Sequence, residues 1–267
     1  MKRMPAVAGQ FYNGSPDRLA RQVEQYMIHD SIKEKVMAIV SPHAGLMYSG
    51  HVAGAVYSAI KVPKTYLLLG PNHSGLGPGI SMMSAGEWEI PTATFRLDSE
   101  LAAKIKARVP SVSEDTQAHL YEHSLEVQLP FIAHSSGDCR ILPVTFMRAT
   151  IDDCAAVGRG IADAVRSVGY EVVIVASSDM SHYEQDSVAR KLDRMAIEEI
   201  LDLNPEGLYS VVMREKISMC GIIPATVMLY AALELGASEA RLVKYATSGE
   251  TSGDFERVVG YAGIIVK

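Results

Sequence analysis

Two short turns in this chain each place a histidine directly after an apolar run. Ser41-Pro42-His43-Ala44-Gly45 follows residues 36–40, and Gly70-Pro71-Asn72-His73-Ser74-Gly75 follows residues 66–69. Short apolar runs of this kind read as buried parallel strands, and α/β sheets bind ligands outside the carboxyl ends of their strands. Two imidazoles delivered there by neighbouring units could converge on one ion, so a metal site is the first chemistry suggested. Pro42, Gly45, Pro71 and Gly75 shape the backbone where a side chain has to be aimed. The competing reading of each histidine is a solvated or capping turn residue.

Further residues extend the pattern. Residues 171–176 form a third apolar run, which feeds Ser177-Ser178-Asp179-Met180-Ser181-His182. Asp179, three residues before His182, could orient that ring and raise its basicity, or simply cap the next helix. His119-Leu120-Tyr121-Glu122-His123 matches H-x-x-E-H. On a helix both imidazoles would share a face and bind zinc, with Glu122 activating a water. The alternative is an amphipathic helix entry with Leu125, Val127 and Leu129 inward, where Glu122, His123 and Glu126 border a polar pocket. Cys220 sits in Met219-Cys220-Gly221-Ile222-Ile223-Pro224, a break before a helix. A thiolate there would gain from the helix N-terminus and could be a third ligand or a redox-sensitive thiol; otherwise it is a buried cysteine. No dinucleotide or phosphate-loop glycine pattern occurs, and no G-x-S-x-G elbow.

Positioning these residues requires a β-turn-α-β order, hence parallel strands. Ser15-Pro16-Asp17 starts a helix expected to run to about residue 28, and a small-residue helix covers 50–60. Strands at 80–83 and 94–97, around a Gly86/Pro91 loop, are expected to form an antiparallel appendage. One helix begins near Asp98 and another covers 122–134. After the strand at 141–145, Thr150 caps a helix ending near Val168 and Gly169. Helices dominate 187–235, broken at Asn204-Pro205 and at Cys220. Strands at 241–246 and 258–266 close the chain around a polar 247–253 segment expected to be mobile.

The 267 residues and 48% hydrophobic content supply a sizeable core for a single domain. A net charge of −6, without a cluster of five basic residues, argues against nucleic-acid binding. No apolar run nears the roughly 18–20 residues of a membrane span, and no signal-peptide stretch follows Met1-Lys2-Arg3, so a cytoplasmic location is expected. Cys139, Cys154 and Cys220, odd in number and widely spaced, do not form a disulfide framework.

Taken together, the chain resembles the Memo family, which is similar in fold to class III extradiol dioxygenases. The resemblance spans Ala8-Gly9-Gln10-Phe11-Tyr12, the three histidine turns, Glu122-His123-Ser124-Leu125-Glu126, Cys220-Gly221 with Pro224, and Tyr261-Ala262-Gly263. It implies one α/β domain over residues 1–267, a central mixed sheet flanked by helices. It implies His43, His73 and Cys220 as metal ligands and His182 as the general base, positioned by Asp179, with Glu122 and His123 lining the substrate pocket. The metal expected is Fe(II), with zinc or copper compatible with the same donors. The related dioxygenases cleave catecholic rings with O2 on iron held by two histidines and a carboxylate. In this chain Cys220, a softer and oxidisable ligand, replaces the carboxylate. The resemblance therefore points to a dioxygenase acting on a phenolic small molecule. The alternatives are a binding or scaffold protein gripping a small anion or peptide, a redox or metal-handling protein, and zinc hydrolysis through His119.

Overall fold

The computed structural model describes residues 1–136 and 138–267. In chain order the elements begin with β1 (Lys2–Arg3), α1 (Pro16–Glu24), β2 (Ala38–Ser41), α2 (Leu46–Ser58), β3 (Thr65–Pro71), β4 (Ile80–Met82), β5 (Glu87–Ile90) and β6 (Ala93–Arg96). Next come α3 (Ser99–Arg108), β7 (Ser113–Glu114), α4 (Gln117–Leu120), a 3-10 turn (Glu126–Gln128), α5 (Leu129–Ser135), β8 (Arg140–Phe146) and α6 (Ile151–Arg166). The C-terminal part holds β9 (Val172–Ser177), β10 (His182–Glu184), α7 (Asp186–Leu201), α8 (Pro205–Glu215), α9 (Ile222–Leu235), β11 (Ala240–Thr247), α10 (Gly249–Ser252) and β12 (Val258–Val266).

Alternation along the strands builds two cores. Val40, Leu67, Leu69, Leu142, Val144 and Ile174 pack on one face against α3, α6, α8 and α9. Their neighbours Ile39, Tyr66, Leu68, Ile141, Val173 and Val175 pack on the other face against α1, α2 and α5. Side chains on a strand alternate in direction, so a strand buried on both sides reads as a continuous apolar run. The central strands are parallel in the order β2-β9-β3-β8. β12 adds antiparallel to β2, β4 adds antiparallel to β8, and β10 and β11 both pair with β12. The result is a mixed α/β sheet covered by helices on both faces. The histidine-bearing turns after β2 and β3 are not neighbours, because β9 lies between them and brings its own polar turn to the same edge.

Other expectations are revised. The 80–83 segment joins the main sheet as β4, since Ile80 and Met82 are buried in the first core. Glu87–Ile90 is itself a strand, burying Trp88 and Ile90 and exposing the alternate residues more, and it pairs with β6 and β1 in a separate three-stranded sheet. The helix expected over 122–134 shrinks to a 3-10 turn and α5, which starts at Leu129 with Pro130 in its first turn. Proline cannot donate to residue i−4 and clashes with its carbonyl, so no helix runs through from Glu122. The helix expected to reach residue 28 ends at Glu24. The 247–253 segment contains the short α10, stopped by Gly253 at φ 77°. Thr150 does cap α6, in a reciprocal capping box with Asp153. No helix among the described residues is long and apolar enough to cross a membrane.

A buried ion pair ties the N-terminal arm to the segment before α5. Arg3 is 1% exposed and pairs with Glu126 while its guanidinium lies 4.2 Å from the Trp88 ring centroid. Its Nε and Nη2 donate to the His119 and Glu122 carbonyls, both at 2.7 Å. Glu126 also accepts from the Ala6 and Val7 amides and the Tyr12 hydroxyl. Removing one member of a buried, saturated pair leaves the other charge uncompensated. Arg3→Ala is therefore expected to destabilise the fold by about 3–5 kcal/mol in urea unfolding monitored by circular dichroism. A change below about 1 kcal/mol, the size typical of an exposed pair, would contradict this assignment.

Candidate metal centre

The carboxyl ends of β2, β9 and β3 lie side by side, and their turns build the floor of one site. Asp179, after β9, receives the His43 amide at 2.8 Å and the Ala44 amide at 3.3 Å, which fixes the turn after β2. Glu122 receives the His73 amide and, at 2.9 Å, its Nδ1, fixing the turn after β3. The reversal at residues 121–125 brings in His123. Its ring stacks on His73 with centroids 4.7 Å apart and planes 23° apart, and Phe11 covers it at 4.7 Å. The ligand atoms of His43, His73 and His123 all lie within 4.8 Å of one another.

Hydrogen-bond logic assigns the tautomers. Ser177 has one hydroxyl proton, which it gives to the Ser124 carbonyl at 2.7 Å. Its lone pairs receive Gln128 Nε2 at 2.9 Å and His43 Nδ1 at 2.8 Å. The Gln128 amide is oriented in turn, because its Nε2 also donates to the Pro42 carbonyl while its Oε1 accepts from Tyr57. His43 therefore carries its proton on Nδ1 and presents a bare Nε2 to the cluster. In a neutral His73 ring the carboxylate of Glu122 likewise holds the proton on Nδ1 and leaves Nε2 bare. Glu122 Oε1 lies 3.5 Å from His123 Nδ1 and orients that ring the same way.

The electrostatics suit these roles. Burial, followed by the neighbouring His123 and His73, pushes His43 well below the usual histidine range. Burial also lowers His123, against the pull of Glu122. Both rings are thus kept neutral, the form that binds metals. Burial pushes Glu122 up, but the neighbouring His73 ring, the Ser124 amide and the His123 ring outweigh it and hold it at about 2. Asp179 is raised by burial, opposed by the His43 and Ala44 amides.

Cys220 reaches the site from the turn before α9. Gly221 makes this approach possible, because a Cβ there would collide with Ser178 and the Ser177 carbonyl. The Cys220 sulfur lies 3.2 Å from His43 Nε2, so whatever binds this nitrogen meets the sulfur as well. Burial first, then the Asp179 charge, pushes the thiol up, against the thiolate that a helix start alone favours. A thiolate at this position needs a cation beside it.

Among the described residues, the side-chain bonds of Asp179 go to the His43 and Ala44 backbone and none goes to His182. His182 is instead held by Ser218, whose hydroxyl receives the His182 amide at 2.7 Å and whose carbonyl receives Nδ1 at 2.8 Å. That leaves His182 Nε2 bare on the wall of a cavity of ≈ 620 Å³ whose floor holds His43, His73 and His123. His119 stands apart from the cluster. It is fully buried, edge-on to Trp88 at 5.8 Å, and neither ring nitrogen has a partner among the described residues. α4 ends at Leu120, so His119 and His123 do not share a helical face and the H-x-x-E-H reading fails.

Three imidazoles whose ligand atoms lie within 4.8 Å of one another, and a sulfur beside one of them, fit a transition-metal ion. Fe(II), zinc and copper all accept such donors. Sequence reasoning placed His123 on the pocket wall and did not find Ser177, Gln128 and Ser218 as orienting groups. The polar Ser177-Ser178 pair at a strand end was the one available signal.

Two measurements probe this arrangement. In metal-free protein, long-range 1H–15N spectra are expected to show His43 in the Nδ1–H form, and Ser177→Ala is expected to admit the Nε2–H form. An unchanged His43 signal would remove Ser177 from the orienting role. Glu122→Gln is expected to weaken metal binding about 10–100-fold in competition with a chelator of known affinity, the usual effect of losing a carboxylate behind a histidine ligand.

Comparison with known proteins agrees with the residue-level resemblance. A family profile described as "Memo-like protein" matches residues 3–265. The chain is 43% identical to a MEMO1 family protein of Methanosarcina acetivorans, with 99% of each chain covered. It is 42% identical to one of Methanosarcina barkeri, over 99% of this chain and 100% of that one, and 40% identical to one of Pyrobaculum aerophilum, over 98% of each. From the buried Arg3 to the last strand, this chain belongs to the Memo family.

Proposed function

We propose that this protein holds one transition-metal ion on His43, His73 and His123, with the Cys220 sulfur as a further donor, and acts on a phenolic or catecholic small molecule with O2. The observation that carries the reading is the convergence of three imidazoles, all with ligand atoms within 4.8 Å, on the floor of an open cavity. Fe(II) is the ion that suits oxygen chemistry; zinc or copper on the same donors would make the site a binding or metal-handling centre. When bound, the ion would supply Lewis acidity and, as iron, one-electron exchange with O2.

The protein's own residues do the rest. The bare Nε2 of His182 accepts a proton from a ligand hydroxyl, while the Ser218 carbonyl receives Nδ1–H and steadies the ring as charge develops. Glu122 and Ser177 keep the cluster nitrogens aimed. Asp179 acts as a positioning residue by clamping the backbone of His43 and Ala44. Phe11, Tyr48 and Tyr261 give the cavity aromatic walls suited to a flat ring.

Anaerobic metal analysis is expected to find about one ion per chain, lost in His43→Ala/His73→Ala and kept in His119→Ala. Unchanged metal content in the double variant would refute the site. Oxygen-electrode measurements on Fe(II)-loaded protein are expected to show uptake with catechols, slowed about 10²–10⁴-fold by His182→Gln, the usual worth of a general base. No uptake with any catechol would overturn the oxygenase reading and leave a metal-binding protein.

A further inference from the structure

The wall of the cavity formed by the β10–β12 end of the sheet carries a feature that the metal chemistry does not use. β10 pairs with β12 through His182–Val259 and Glu184–Val258, with a shift of register between them. Tyr183 sits in that bulge at φ 62°, 67% exposed. A bulky residue in the left-handed region is strained, and a purely structural bulge is better served by glycine or asparagine. Bulges re-aim side chains beside functional sites, and this one sets Tyr183 in the cavity wall with its ring 6.0 Å from that of His182.

Arg257 lies over the Tyr183 ring, its Cζ 5.5 Å from the centroid. It is the one arginine or lysine among the described residues that line the cavity. No carboxylate among the described residues lies within 4.0 Å of its guanidinium. Of the two acidic residues in the lining, Asp179 binds the His43 and Ala44 amides, and Asp254 Oδ1 receives the Glu256 amide. The segment presenting Arg257 is anchored, since the Phe255 carbonyl accepts the Asp186 amide and the Phe255 ring fills the space beside Gly249.

We propose that Arg257 and Tyr183 form an anion subsite, and that the ligand of this cavity is an aromatic carboxylate. Resting on the phenolic reading above, this adds a carboxylate to the ligand, held on the Tyr183 side of the cavity. Arg257 grips it with a planar donor fork and Tyr183 backs the guanidinium with its ring face.

The probes are catechol, 3,4-dihydroxybenzoate and benzoate, titrated by calorimetry into zinc-loaded and metal-free protein. In the zinc form, 3,4-dihydroxybenzoate is expected to bind at least about tenfold tighter than catechol, the size of one charge-assisted contact. Arg257→Gln should erase that advantage and leave catechol affinity unchanged, while Arg257→Lys should restore part of it. Equal affinity of the two diphenols for the wild type, or an advantage that survives Arg257→Gln, overturns the proposal. Benzoate, which has no hydroxyls, separates the two readings. If catechol ignores the zinc while benzoate binds both forms in an Arg257-dependent way, the metal reading falls and the anion subsite stands.

Discussion

Two buried carboxylates four residues apart, Glu122 and Glu126, fix the one irregular segment on which the centre depends. Burying a carboxylate is costly unless its oxygens are filled with donors. Glu126 is filled from the N-terminal arm by Arg3, Ala6, Val7 and Tyr12. Glu122 is filled by the His73 amide and ring and by the Ser124 amide. One carboxylate binds the segment to the body of the protein and the other binds the centre to the segment. The arm at residues 3–12 is thus part of the framework of the candidate site, and its Phe11 covers the His123 ring.

The division between scaffold and site follows the strands. Within β2, β3, β8 and β9, alternation spends nearly every side chain on one of two cores. Polar chemistry begins where the ladder stops. Ser177, the last residue of β9, already belongs to the His43 network. The register of the parallel strands brings three turns to one edge, and the irregular segment at 121–125 and the turn before α9 add His123 and Cys220 to them.

The strands, the capped α6 and the three turns were legible in the sequence because each rests on a local signal: an apolar run, a capping pair, a proline or glycine beside a histidine. The role of His123 was not. Its placement follows from a chain reversal between α4 and α5, and from long-range bonds of Glu122: its carboxylate holds His73, 49 residues away, and its backbone carbonyl accepts from Arg3, 119 residues away. H-x-x-E-H misled because it assumed one helix where the chain makes a four-residue helix and a turn. Tyr183 and Arg257 escaped notice because a bulge is a property of two strands paired together. Cys220 was visible as a break between helices, but its distance to His43 depends on Gly221 meeting β9.

The order β2-β9-β3 also sets when the centre can exist. His43 and Cys220 are 177 positions apart, and β9 must insert between β2 and β3 before either histidine-bearing turn reaches its final place. Such long-range pairing forms late, after the entropy of closing large loops has been met. A nascent or partly folded chain therefore displays histidines and a thiol but no assembled chelate. An ion held on these residues would stabilise only the chain that has already found its native topology.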